Sequence, residues 1–166
     1  IPNATTTVYS NLLPYALGNS SVIVASSTLV INKNNIFKSQ YRLNVFGKLI
    51  AQGENVGDIV FTAMNDTSIG GDTLNVGTTT VPIAGSWYGI QSFDGAYIDM
   101  KGVSIKYGGR GIGSLYSGLK ASGSEVHLEN TLFESNAFSG INFINSTSTI
   151  TSSEFKNPFS FNAKPA

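Results

Sequence analysis

Three side chains have the types and spacing to move protons. If Ile98 and Met100 point inward, as Val126 and Leu128 do, strand alternation turns Tyr97, Asp99, Glu125, His127 and Glu129 outward on one face. Strands in neighbouring turns lie about 4.8 Å apart, so Asp99 falls beside Glu125 or His127. Two carboxylates and the only imidazole, with Lys106 and Arg110 as cationic partners, are the groups that acid/base cleavage of a polysaccharide would use. The same pattern suits a solvated polar face of matched cross-strand pairs. That second reading is preferred, so no catalytic role is assigned.

Two other groups of residues could bind rather than react. Trp87, Tyr88, Tyr97, Tyr107 and Tyr116 fall in neighbouring turns or the loops beside them, where a row of rings would stack on sugars. Asn65, Asp66, Asp72 and Thr73 surround Gly70-Gly71 and offer oxygen ligands for Ca2+. A Gly-Asp turn closed by Asx hydrogen bonds accounts for that loop equally well, and no other cofactor is expected. Val30, Ile50, Val60 and Leu132 also fall on outward positions, as on a covered or partner-binding face. The sequons at Asn3, Asn19, Asn65 and Asn145 carry little weight in a chain so rich in Ser, Thr and Asn.

These groups must be positioned by short strands, because helical periodicity is nearly absent. Apolar residues alternate with small polar ones over four to eight positions, and Gly, Asn, Ser or Asp ends each run. Three kinds of strand recur in fixed order. One reads Leu29-Val-Ile31, Leu49-Ile-Ala51, Ile98-Asp-Met100, Val126-His-Leu128 and Ser148-Thr-Ile150. The next reads Asn35-Ile-Phe37, Ile59-Val-Phe61, Val103-Ser-Ile105, Thr131-Leu-Phe133 and Ser153-Glu-Phe155. The third reads Val22-Ile-Val24, Leu43-Asn-Val45, Ile90 to Phe93, Leu119-Lys-Ala121 and Ile141-Asn-Phe143. Val22 to Leu43 is 21 residues and Leu119 to Ile141 is 22. Three strands per such period predict an all-β parallel solenoid of about five turns, one domain over residues 1–166. The period breaks over residues 63–86, a loop insertion, with a smaller excess over 108–117. Residues 1–20 are expected to cap the N-terminal end, and nothing comparable follows Phe161.

Composition agrees. Charged residues are 12% of the 166-residue chain, against about 25% in an average domain. A coil with many inward and corner positions has few places for charge. Zero net charge and the lack of a basic run exclude a nucleic-acid partner. No apolar stretch approaches the roughly 20 residues of a membrane span. With no cysteine there is neither disulfide nor thiolate metal site. The chain begins at Ile1 without a signal sequence, as a mature or excised piece would.

The order of motifs is also distinctive: Gly47-Lys-Leu-Ile-Ala-Gln-Gly53, Ile59-Val-Phe-Thr62, Ile69-Gly-Gly-Asp-Thr73, Gly85-Ser-Trp-Tyr-Gly-Ile90 and Val103-Ser-Ile-Lys-Tyr-Gly-Gly109. From about Tyr15 to Pro158 the chain resembles the right-handed parallel β-helix domains of secreted and surface-anchored microbial proteins, relatives in fold of the pectate-lyase-like superfamily. The resemblance implies a secreted or cell-surface location. The function expected is a non-catalytic module that binds polysaccharide or another extended surface ligand, such as a cell-surface glycan, in adhesion. The alternatives are a structural subunit that self-associates end to end and a polysaccharide lyase or glycoside hydrolase.

Overall fold

The computed structural model describes residues 4–156 apart from 12, 20, 76, 78 and 112–115. Asn3 of the first sequon, Ser20 of the Asn19 sequon, Pro158 and the end beyond Phe161 lie outside the described residues. Among the described residues seventeen strands follow one another in coils of three. The first coil holds β1 (Ala4–Val8), β2 (Tyr15–Leu17) and β3 (Val22–Ile23). The second holds β4 (Ser27–Asn32), β5 (Asn35–Ser39) and β6 (Arg42–Val45). The third holds β7 (Lys48–Gln52), β8 (Ile59–Ala63) and β9 (Gly89–Ser92). In the fourth are β10 (Tyr97–Lys101), β11 (Val103–Lys106) and β12 (Ser117–Ser122), and in the fifth β13 (Glu125–Glu129), β14 (Leu132–Glu134) and β15 (Ser139–Ile144). A partial sixth coil adds β16 (Thr147–Thr151) and β17 (Glu154–Lys156).

Every strand pairs in parallel with its counterparts one coil before and after, giving sheets A and B of six strands and sheet C of five. Sheet A runs β1-β4-β7-β10-β13-β16, sheet B β2-β5-β8-β11-β14-β17, and sheet C β3-β6-β9-β12-β15. The result is a parallel β-solenoid-like fold, and no described residue is helical. Among the described residues no helix is long and apolar enough to cross a membrane.

Register follows from stacking like on like. Leu29, Leu49, Ile98 and Val126 align down sheet A, with Ile31, Ala51, Met100 and Leu128 in the next inward column. Sheet B aligns Tyr15, Phe37, Phe61, Ile105, Phe133 and Phe155. Its rings stack at 5.2 Å (Tyr15–Phe37), 5.1 Å (Phe37–Phe61) and 5.1 Å (Phe133–Phe155). Each fully buried aliphatic or aromatic side chain contributes about 1.5–3 kcal/mol, and no single coil could bury such a column alone. The corner from sheet A to sheet B requires a left-handed residue. Asn34, Gly102, Asn130 and Ser152 supply it, with φ between 48° and 66°, and Asn and Gly reach that region at least cost.

One expectation needs correction. Val22–Val24 does not align with Leu43–Val45: Val22 pairs with Asn44, and Ile23 with Val45. Three consecutive β-branched residues carry no alternation to fix the phase. Packing decides it, burying Ile23 and leaving Val22 and Val24 exposed. Residues 4–8 and 15–17 form β1 and β2, which continue sheets A and B in register.

The connection from β8 to β9 leaves the coil and folds back over the outer face of sheet B. A Cβ on Gly70 would lie 2.6 Å from Pro14 and 3.1 Å from Ile36, so the loop backbone rests directly on that face. Outward positions Lys38, Val60 and Thr62 are thereby buried. Val30, Ile50 and Leu132 are half-buried.

Candidate functional site

Sheet A assembles three of the four residues with acid/base chemistry. Asp99 is directly opposite His127 and Tyr97 opposite Glu125. His127 Nε2 lies 2.8 Å from Glu125 Oε1, and Asp99 Oδ2 accepts from Gln52 Nε2 at 3.1 Å. One strand position further on, Lys101 pairs with Glu129 at 2.8 Å. Tyr97 sits between His127, 5.5 Å away and tilted, and the Lys48 ammonium at 5.9 Å. Burial first, then the Asp99 and Glu125 charges, raise the Tyr97 phenol above its usual range. The face is thus a ladder of mutually paired polar groups on an open sheet.

Lys106 does not join them. It belongs to β11 of sheet B and pairs with Glu134 at 2.7 Å, so the predicted four-residue constellation divides between two sheets. The corner at Gly102 separates it from the strands of sheet A.

The acidic loop is organised around a lysine. The Lys38 ammonium, fully buried, donates to the carbonyls of Asp66 and Gly71, each at 2.6 Å. Asp66, also fully buried, accepts from Thr62 Oγ1 at 2.6 Å and from Ser68 N and Oγ at 3.1 and 2.6 Å. Asp72 accepts from the Gly77 amide at 2.8 Å, the Asn65 carbonyl accepts from Thr80 Oγ1, and Thr73 Oγ1 is buried without a partner. The Lys38 ammonium therefore occupies the carbonyls that an ion wrapped by this loop would want. Among the described residues no three His, Asp or Glu side chains gather as a metal shell.

The aromatic residues do not form one row. Trp87 is buried at 1% exposure, its indole donating to the Lys106 carbonyl at 2.6 Å, so it anchors the loop and is closed to ligand. Tyr107 is half-buried against the core at a left-handed corner (φ 58°). Its phenol is raised mainly by burial and secondly by Asp66. Tyr97 belongs to sheet A. Only Tyr88 and Tyr116 meet, in a cleft of about 180 Å³ on the outer side of sheet C.

That cleft is lined by Arg42, Tyr88, Gln91, Tyr116, Ser117 and Lys120 over Ile90. Asn44, Gln91, Lys120 and Asn142 align as one outward column through β6, β9, β12 and β15. The Arg42 and Arg110 guanidiniums each lie 5.5 Å from the Tyr88 ring centre. No carboxylate or imidazole lines the cleft, so it offers hydrogen bonds and positive charge but no acid/base pair. Arg42, Gln91 and Lys120 escaped the sequence reading, although a signal existed. The alternation that places Leu43, Ile90 and Leu119 inward also turns Asn44, Gln91 and Lys120 out.

Comparison of the chain with family models, with curated proteins and with solved structures gives no match. Function must therefore be argued from the geometry.

Proposed function

We propose that the protein is a non-catalytic module that binds polysaccharide on the outer face of sheet C, in the manner of a secreted or cell-surface adhesion domain. The motif order of the chain favours a right-handed β-helix of pectate-lyase-like fold as the scaffold. One observation carries the reading: an open cleft that combines two tyrosines with amide and cationic donors and contains no catalytic pair. At about 180 Å³ it is smaller than the roughly 300–1,000 Å³ of sites that enclose a small molecule. It suits one unit of a longer chain, with the rest lying along the Asn44–Gln91–Lys120–Asn142 column. Carbohydrate hydroxyls both donate and accept, and side-chain amides meet both demands. Retention on insoluble glycans tests the reading. Tyr116→Ala and Gln91→Ala should each weaken retention several-fold, and failure of the unaltered protein to bind any glycan would remove it.

A second reading, end-to-end assembly, rests on the last described coil. Ile150 and Phe155 occupy inward columns yet remain 40% and 48% exposed. Cleavage by Asp99, Glu125 and His127 is the weaker alternative, because these groups are engaged with one another or with Gln52. Release of reducing or unsaturated sugars by the purified protein would favour it.

A further inference from the structure

We propose that the ligand of the sheet C cleft is anionic: a sugar chain bearing carboxylate or sulfate groups, held by Arg42, Lys120 and Arg110. The inference rests on the glycan-binding reading above and deepens it. Its ground is the distribution of charge in a chain whose net charge is zero. Lys33, Lys101, Lys106 and Lys156 each pair with a glutamate, and Lys38 is buried under the loop. Among the described residues four cations pair with no carboxylate: Arg42, Lys48, Arg110 and Lys120. Lys48 lies over Tyr97 on sheet A. The other three gather at one place, Arg42 and Lys120 in the cleft wall and Arg110 against the Tyr88 ring.

Sheet C is also the sheet without acids. None of β3, β6, β9, β12 and β15 contains Asp or Glu, whereas sheet A carries Asp99, Glu125 and Glu129 and sheet B carries Glu134 and Glu154. A neutral molecule thus presents one face with a single sign of charge, a concave surface whose field attracts anions. The Tyr88 ring reinforces this. Two guanidiniums at cation–π distance hold their charge beside the cleft without neutralising it. Because they crowd the ring, Tyr88 serves less as a platform for a sugar than as an organiser of donors. Guanidinium suits carboxylate and sulfate oxygens because its planar fork can make two parallel hydrogen bonds.

Titration calorimetry with polygalacturonate, dextran sulfate and neutral dextran tests the proposal. At least one anionic polymer should bind more tightly than dextran, with affinity falling as salt rises. The two anionic polymers separate carboxylate from sulfate as the recognised group. Arg42→Gln with Lys120→Gln should weaken that binding about tenfold or more, the worth of one charged hydrogen bond. Lys33→Gln with Lys156→Gln removes two positive charges elsewhere and should leave it within about twofold. Equal loss in both double variants would overturn the site. Dextran binding as tightly as the anionic polymers, without salt dependence, would overturn the anionic inference while leaving glycan binding intact. No binding to any polymer here or on the insoluble panel would remove both. The salt dependence of the unaltered protein needs no variant and stands even if a substitution impairs folding.

Discussion

Removing the Lys38 ammonium would leave the carbonyls of Asp66 and Gly71 without their donor and would take away a positive charge that acts on the buried Asp66. Lys38→Met keeps the apolar stem and removes only the charge. It is expected to cost about 1–3 kcal/mol, the usual penalty for leaving buried acceptors without their donor. A urea-midpoint change equivalent to less than about 1 kcal/mol would show that the ammonium does not fasten the loop. Burial lowers the Lys38 pKa below its ordinary 10.5, outweighing the Asp66 and Asp72 charges that raise it. Between the lowered value and 10.5 the unfolded chain binds more protons, so the Lys38 contribution to stability increases with pH across that window. Asp58 has the same sense at the acid end of the pH range. Its carboxylate accepts from the Glu54 and Asn55 amides at 2.8 and 3.0 Å, and these bonds hold its pKa below the ordinary 3.8. That contribution is complete above 3.8 and is lost as pH falls through the lowered value. Asp58→Asn should therefore reduce the drop in melting temperature between neutral pH and pH values below 3.8. An unchanged drop would assign the acid sensitivity elsewhere.

The long loop and the strands it covers behave as one element, with Trp87 as its second fastener. Trp87→Phe keeps most of the packing and loses the bond to the Lys106 carbonyl, at a cost of about 0.5–1.5 kcal/mol. Trp87→Ala also empties the space beneath and should cost about 3–5 kcal/mol. Denaturant midpoints of the two variants measure the difference, and equal midpoints would mean that the ring contributes nothing by packing. Why the sequence discloses some of this and hides the rest can be stated physically. Alternation is a local signal, so Ile98-Asp-Met100 and Val126-His-Leu128 declare their inward residues and even their mutual register. Val22-Ile-Val24 declares nothing, being apolar at every position. The path of residues 64–88 is set by distant partners, so the sequence leaves open whether Trp87 stacks on a ligand or packs under the loop, and whether Asp66 holds an ion or closes a turn. Only the loop's return onto sheet B turns the first into an anchor and the second into the companion of Lys38.

On the scale of the whole molecule the solenoid keeps its three faces chemically distinct. The paired polar ladder lies on sheet A, the loop covers sheet B, and the acid-free surface belongs to sheet C. That separation was only partly legible, because zero net charge conceals an uneven distribution until each strand is assigned to its sheet. Stacking also makes stability depend on position along the axis, since each coil meets only its neighbours. Met100 and Ile150 share one inward column, but Met100 is fully buried between neighbouring coils and Ile150 is 40% exposed at the last. Met100→Ala should therefore cost about 2–5 kcal/mol and Ile150→Ala well under half as much. The contrast has a second use. If Ile150 and Phe155 meet the end of another molecule, as the assembly reading requires, Ile150→Asp with Phe155→Asp would place two carboxylates in a buried contact and abolish association. Light scattering across a concentration series should then fall to the monomer value in the double variant alone. Identical monomeric scattering from the variant and the unaltered protein would leave the exposed column as a property of the last coil and remove the assembly reading.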